Sequence, residues 1–333
     1  MRILITGYTS RMCASKRLHY DYMTFAFLLP EILKSMGHDV DVRKVMIGEE
    51  LYTKYDFAFC GVCPLSSITA GNVPETHYVM DVMPHRHAIW ADDWSFCGFG
   101  DSVRYTLNKW DKYLLYKKFK YSPEIIEKTR LSFENMMDFE EFHNAPVLAP
   151  MFQWGDHQFL MRDNYKAKLV SIDPSPWVKY PTIKQYSPDE KIKQWVMAAL
   201  SDHSRWVNKQ GLKLPVLYCG NKRMEGTQVH TEDYTIQLFA KSFGVLSCGY
   251  PSAGSGWWRT RYLNAAWAES LVYSDSKDAA VMGKPYQGEA SYFENVGTGH
   301  EYEVLVGAQN DWLQRNIVPE DTTKRKLERL MKK

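Results

Sequence analysis

At 333 residues, 45% of them hydrophobic, the chain has the make-up of a packed globular protein with room for two ordinary domains, which excludes a disordered class. A net charge of only +2 excludes a global attraction to nucleic acid, so any basic surface has to be local. Aromatic residues make up 14% of the chain, with 11 Trp and 21 Tyr, enough to stack on sugar or base rings while still furnishing cores.

In chain order, "RILITGY" reads as a buried strand turning at Gly7. The apolar run at the start is too short for a signal peptide, and no stretch approaches the ~18 residues of a membrane helix. "YMTFAFLLPEILKSMGH" has helical spacing and ends at Gly37. "DVDVRKV", "YDFAFCGVCP" and "HAIWADD" follow as strands, the rhythm of a parallel sheet flanked by helices. One glycine alone follows the first strand, so the GxGxxG dinucleotide fingerprint is missing and NAD is disfavoured. Six scattered cysteines, with no secretory signal, point to reduced thiols in a cytoplasm. Cys60 and Cys63 have metal-ligand spacing, but no second pair matches them, and two buried thiols are the better reading; no metal ligands are assigned.

From Arg104 to Arg130 the text changes, with eight Lys/Arg against three Asp/Glu and six interleaved aromatics. "APVLAPMFQWGDHQF" suits an interdomain connection. The second half then restarts the rhythm. "AKLVSIDPSP" reads as a strand, "DEKIKQWVMAAL" as a helix, "LPVLYCGNKR" as a strand and "YTIQLFAKS" as a helix. "FGVLSCGY" follows as a strand, "RTRYLNAAWAES" as a helix and "SLVYSD" as a strand, with a charged helix in "EDTTKRKLERLMKK". The fold class is therefore α/β, with two Rossmann-like doubly wound domains facing each other across a cleft. They are expected over residues 1–150 and 165–318, with a basic-aromatic insertion at 104–130 and a C-terminal helix at 319–333.

Taken in order, "MRILITG", "LKSMGHDVDV", "LYTKYDFAFCGV", "AIWADDW", "LPVLYCGNKR" and "TRYLNAAWAESLVYSD" resemble the phage DNA glucosyltransferases of the two-Rossmann-domain (GT-B) type, the β-glucosyltransferases of T-even phages in particular. Each piece is short; the shared order and spacing over most of the chain carry the likeness. It implies an enzyme of the host cytoplasm moving a sugar from a nucleotide-sugar, UDP-linked, onto a 5-hydroxymethylpyrimidine in bacteriophage DNA. No other cofactor is required, and a divalent metal is left open.

The resemblance places Arg261 on the donor diphosphate, and a guanidinium fork beside free helical N–H groups is a sound diphosphate site. Arg259 joins it, and the preceding "SAGSG" lets backbone approach a ligand; surface ion pairs are the plainer alternative for both arginines. The family carries a glutamate three residues after this arginine, for the ribose hydroxyls. Here that position is Asn264, a neutral hydrogen-bonding group, with Glu269 further along. A basic phosphate-gripping turn is also replaced, by "DPSPWVKYP" with Lys179 alone. Either Lys179 substitutes, or Lys222 and Arg223 after the turn at Gly220 and Asn221, or the donor sits differently. Gly7 completes the expected donor set.

By the same resemblance the catalytic base is an aspartate after "HAIWADD", either Asp92 or Asp93. It would take the proton of the acceptor hydroxymethyl and favour inversion. The other aspartate would cap the next segment or pair with Arg86. Duplex DNA is the expected partner of Arg104, Lys109, Lys112, Lys117, Lys118 and Lys120 through phosphates, and of Trp110, Tyr113, Tyr116 and Tyr121 through stacking, with the target base flipped out. Trp110 and Tyr113 also fit the buried face of a helix with lysines outside. No membrane is implied. Two alternatives stay open: a GT-B glycosyltransferase with a non-DNA acceptor, and a non-catalytic nucleic-acid-binding protein on this scaffold.

Overall fold

The computed structural model describes residues 1–6, 25–42, 54–61, 86–90, 146–150, 169–198, 204–219, 232–247, 260–274, 279, 282–297 and 299–332. The first sheet is built from β1 (Arg2–Thr6), β2 (Asp39–Val42), β3 (Phe57–Gly61), β4 (His87–Trp90), β5 (Val147–Pro150) and β6 (Leu169–Ile172), with helix α1 (Phe25–Ser35) between β1 and β2. Its strand order is β2-β1-β3-β4-β5-β6, every pair parallel. Strands buried on both faces read as unbroken apolar runs. Ile3, Leu4 and Ile5 of β1 are accordingly all fully buried.

The second sheet contains β7 (Ile192–Ala198), β8 (Val216–Cys219), β9 (Ser242–Ser247) and β10 (Leu271–Ser274), in the order β10-β9-β7-β8 and again all parallel. Helix α2 (Ser204–Asn208) precedes β8, α3 (Glu232–Lys241) precedes β9 and α4 (Thr260–Trp267) links β9 to β10. Then come α5 (Ala290–Asn295), α6 (His300–Asn316) and α7 (Glu320–Met331). Two parallel sheets with helices make this the α/β, double-Rossmann architecture expected.

Three expectations are corrected. Ile192–Ala198, expected in a helix, is a central strand. Trp195 and Met197 point into one core and Val196 into another, so the run is buried on both faces, where apolar periodicity no longer separates strand from helix. Val147–Pro150, expected in a connection, is a strand whose prolines fall at its edges, with Pro146 before it and Pro150 last. Leu169–Ile172, expected to open the second half, instead closes the first sheet as the partner of β5. The chain therefore leaves that sheet at Asp173. The expected C-terminal helix is present as α7, and its Leu327, Leu330 and Met331 join the core of Ile3, Ile5 and Phe57 in the first sheet.

Gly244 of β9 lies against the Trp195 ring. A Cβ there would sit 2.8 Å from Trp195 Cε3 and 2.9 Å from the Leu271 carbonyl, so the central aromatic of the second sheet requires a glycine opposite it.

Candidate nucleotide-binding site

In an open parallel sheet, ligands bind beyond the C-terminal strand ends, where the winding direction reverses. In the second sheet β8 lies on one side of β7 and β9 on the other, so the reversal falls between β7 and β9, at Ala198 and Ser247. Helix α4 is the helix that follows β9, and Arg261 is its second residue, half-buried. A guanidinium at the first turn of a helix, beside amides that lack intrahelical acceptors, suits an oxyanion.

The floor beneath that turn is polar. Ser247 and Ser274 are register partners at the ends of β9 and β10, and both are buried. The Tyr262 hydroxyl, on α4, donates to Ser274 Oγ at 2.7 Å. Ser247 Oγ is buried with no hydrogen-bond partner among the described residues. These three residues lie outside the expected site set. The sequence signal was present, because "FGVLS" and "SLVYS" both end on serine in the same register.

Asn264 sits on the same helix, 3% exposed, with its backbone carbonyl accepting from Ala268 N–H. It is thus a group of the floor, not of the rim. Glu269 lies past the other end of α4, eight residues beyond Arg261, or about 12 Å of helical rise. It is too far to share a ligand's ribose with the first turn, and its backbone is left-handed, with φ 48°.

Lys179 is brought elsewhere. Its segment is the chain's exit from the first sheet; its side chain is 88% exposed, with the ammonium 3.9 Å from the Glu31 carboxylate of α1. A pair so exposed is worth little. Asp92, Asp93, Arg259, Gly7, Gly220, Asn221, Lys222 and Arg223 lie outside the described residues, as do Cys63 and the whole segment from Arg104 to Arg130. Strand β4 ends at Trp90, so Asp92 and Asp93 come two and three residues after it in the chain. Among the described residues no three His, Cys, Asp or Glu side chains form a metal-binding group, and no helix is long and apolar enough to cross a membrane.

Side-chain hydrogen bonds to backbone tie the second sheet together around this site. Gln309 of α6 accepts from Val272 N–H and donates to the Val272 carbonyl, both at 3.0 Å, which completes the open edge of β10 as another strand would. Tyr302 donates to the Phe243 carbonyl at 2.6 Å and accepts from Leu271 N–H at 3.3 Å, tying β9 to β10. Glu294 of α5 receives Trp195 Nε1 and the amides of Lys213 and Leu214.

No family model and no curated protein sequence matches this chain. Among solved structures, T4 phage β-glucosyltransferase in complex with UDP and Mn2+ is similar, with 10% identity, a TM-score of 0.57 and 99% of each chain covered. An α-glucosyltransferase in complex with UDP gives 9% identity and a TM-score of 0.58 over the full length of both chains. An α-glucosyltransferase with UDP and a 13-mer DNA containing an HMU base gives 10% identity and a TM-score of 0.56, again over both full lengths. The whole chain thus shares the GT-B fold of these phage glucosyltransferases.

Proposed function

We propose that this protein is a glycosyltransferase that moves a sugar from a UDP-linked donor onto a 5-hydroxymethylpyrimidine in duplex DNA. The observation that carries the reading is Arg261 at the first turn of α4, the helix that follows β9, one of the two strands flanking the winding reversal of the second sheet. It is supported by a fold shared end to end with structures whose ligands are UDP and DNA.

Arg261 would hold the diphosphate as a bidentate fork, with the α4 amides beside it and Arg259 two residues ahead in the chain. Asn264 and the hydroxyls of Ser247 and Ser274 would supply the neutral polar floor. Lys222 and Arg223, after Gly220 and Asn221, would take the place of the missing phosphate turn, since Lys179 faces the first half. Asp92 or Asp93, just past β4, would accept the proton of the acceptor hydroxymethyl as its oxygen attacks the anomeric carbon. Displacement by a single base-activated attack inverts that carbon. The basic-aromatic segment from Arg104 to Arg130 would hold the duplex with the target base flipped out. Arg261 would neutralise charge on the departing diphosphate, the same chemistry that a divalent metal would supply if bound there.

The test is mass spectrometry of nucleosides digested from duplexes carrying 5-hydroxymethylcytosine or 5-hydroxymethyluracil, after incubation with the protein and a panel of nucleotide-sugars. A hexose- or pentose-sized gain on one base is expected, lost in Asp92→Asn or Asp93→Asn and in Arg261→Ala. No gain with any donor, while DNA still binds, would transfer the reading to a non-catalytic DNA-binding protein.

A further inference from the structure

Helix α7 comes after the second sheet in the chain, yet it packs with the first. Its Leu327, Leu330 and Met331 join the core of the first sheet, and its start is fastened just past the end of β6. There the Asp173 carboxylate accepts from the Val318 amide at 2.9 Å, and the Asp173 amide and carbonyl exchange hydrogen bonds with the Thr323 hydroxyl. Farther along α7, the Glu328 charge acts on His38, which also feels the amino terminus ahead of β1. The helix therefore runs antiparallel to the strands. It begins by their C-terminal ends, where an open parallel sheet takes ligands, and continues down the flank of the first half.

The charges of α7 are sorted by side. Glu320, Lys324 and Glu328 follow one another at steps of four and share one side of the helix. Cations facing these glutamates are neutralised: the Lys324 ammonium lies 3.1 Å from Glu320, and that of Lys332 4.0 Å from Glu328. Thr322, Arg325, Lys326 and Arg329, at i, i+3, i+4 and i+7, form a separate row with no carboxylate in it. Arg325 and Arg329 are both exposed. Neutral groups alone aim Arg325, whose Nε donates to the Asp321 carbonyl at 3.1 Å and whose Nη2 donates to Thr322 Oγ1 at 3.3 Å. Neither arginine forms an ion pair among the described residues. The row carries positive charge that the fold does not neutralise.

We propose that this row is a phosphate-contact surface for duplex DNA, separate from the segment Arg104 to Arg130. The inference rests on the reading of duplex DNA as the acceptor. Guanidinium groups grip phosphates bidentately, and Arg325 and Arg329 stand ~6 Å apart along the helix axis, the rise of about two nucleotides of one strand. Because the row starts near the C-terminal ends of the first sheet's strands, a duplex seated over those ends would continue along α7. Such contacts carry no sequence information; they add affinity and fix the path of the duplex beside the target base.

The test measures affinity of the full-length protein over a salt series, by fluorescence anisotropy, for duplexes with and without a 5-hydroxymethylpyrimidine. The slope of log affinity against log salt should flatten by about 1.8 in Arg325→Gln/Arg329→Gln. It should flatten by about 0.9 in Arg329→Gln, which breaks no hydrogen bond or ion pair of the fold. Both changes should be the same on the two duplexes, and the thermal shift given by UDP should stay at its wild-type size. Lys324→Gln, whose charge Glu320 already answers, should keep the wild-type slope. Wild-type slopes in both arginine variants, with DNA still bound, would overturn the row and leave the acceptor reading standing. A change confined to the hydroxymethylated duplex would overturn it too, because the row would then act at the base. If the wild type binds neither duplex, the acceptor reading falls and the row with it.

Discussion

Around the first sheet the core is largely aliphatic, with Ile3, Ile5, Leu28, Leu29, Ile32, Leu33 and Leu327 closing on Phe57 and Phe59. Around the second it is aromatic, and its rings carry polar ends. Trp195 meets Phe243 edge-on with centroids 5.1 Å apart, and Tyr262 meets Tyr286 at 5.3 Å. Tyr302, Tyr286 and Gln309 spend their polar atoms on backbone groups. Aliphatic burial is non-directional and says only which face is inside. Hydroxyls and indole N–H groups that must find partners fix orientation and strand register too. The directional network sits in the half that carries Arg261, where a bound anion would need a fixed frame.

The contrast is broken most severely at Trp195. Trp195→Ala should cost ~3–5 kcal/mol in chemical denaturation, because it empties the centre of the second sheet and leaves Glu294 short of a donor. Gln309→Leu keeps the volume but strips the β10 edge and the Pro285 carbonyl of their partners; a loss on the order of 3 kcal/mol is expected, with faster hydrogen exchange at Val272.

Lys191 sharpens the contrast as a pH effect. It is 5% exposed and donates to the Ala240 carbonyl at 2.6 Å. Burial lowers its pKa to about 8, with the Glu269 charge opposing. Between about pH 8 and the ~10.4 of a free lysine, the unfolded chain binds the extra proton, so stability rises with pH in that window. The rise should be missing when the melting temperature of Lys191→Met is followed against wild type. On the aliphatic side, Ile32→Val should cost only ~1 kcal/mol. The smallest effect is a gain: Glu269→Gly relieves a left-handed non-glycine residue and should stabilise by ~0.5–1 kcal/mol, less whatever attraction to Lys191 is lost.

The same division explains what could be read from the sequence. Strand β1, a short apolar run turning at a glycine, was legible, and so were β9, β10 and the helix bearing Arg261. Strand β7 was not, because "DEKIKQ" ahead of "WVMA" mimics an amphipathic helix. Helix α6 also escaped notice. Its buried residues, Tyr302, Val306, Gln309 and Leu313, are spaced as a helical stripe, but a glutamine stands where an apolar residue is looked for. In the site, the position of Arg261 followed from its place after an apolar strand. The burial of Asn264 did not, since which face of an eight-residue helix turns inward depends on partners far away in the chain. Asp173 stood out only as the start of "DPSPWVKYP", the stretch that replaces an expected phosphate-gripping turn; its bond to the Val318 amide, 145 residues on, left no mark in the sequence.

Helix α7 sets a condition on how the protein is made. The apolar surface that Leu327, Leu330 and Met331 cover belongs to a sheet whose last strand is complete at Ile172. A ribosome adding ~5–20 residues per second needs roughly 7–30 s more to deliver the covering helix. Throughout that interval the nascent first half presents uncovered aliphatic side chains. Chains released early, or digested from the C-terminal side, should therefore be recovered in the insoluble fraction or bound to chaperones.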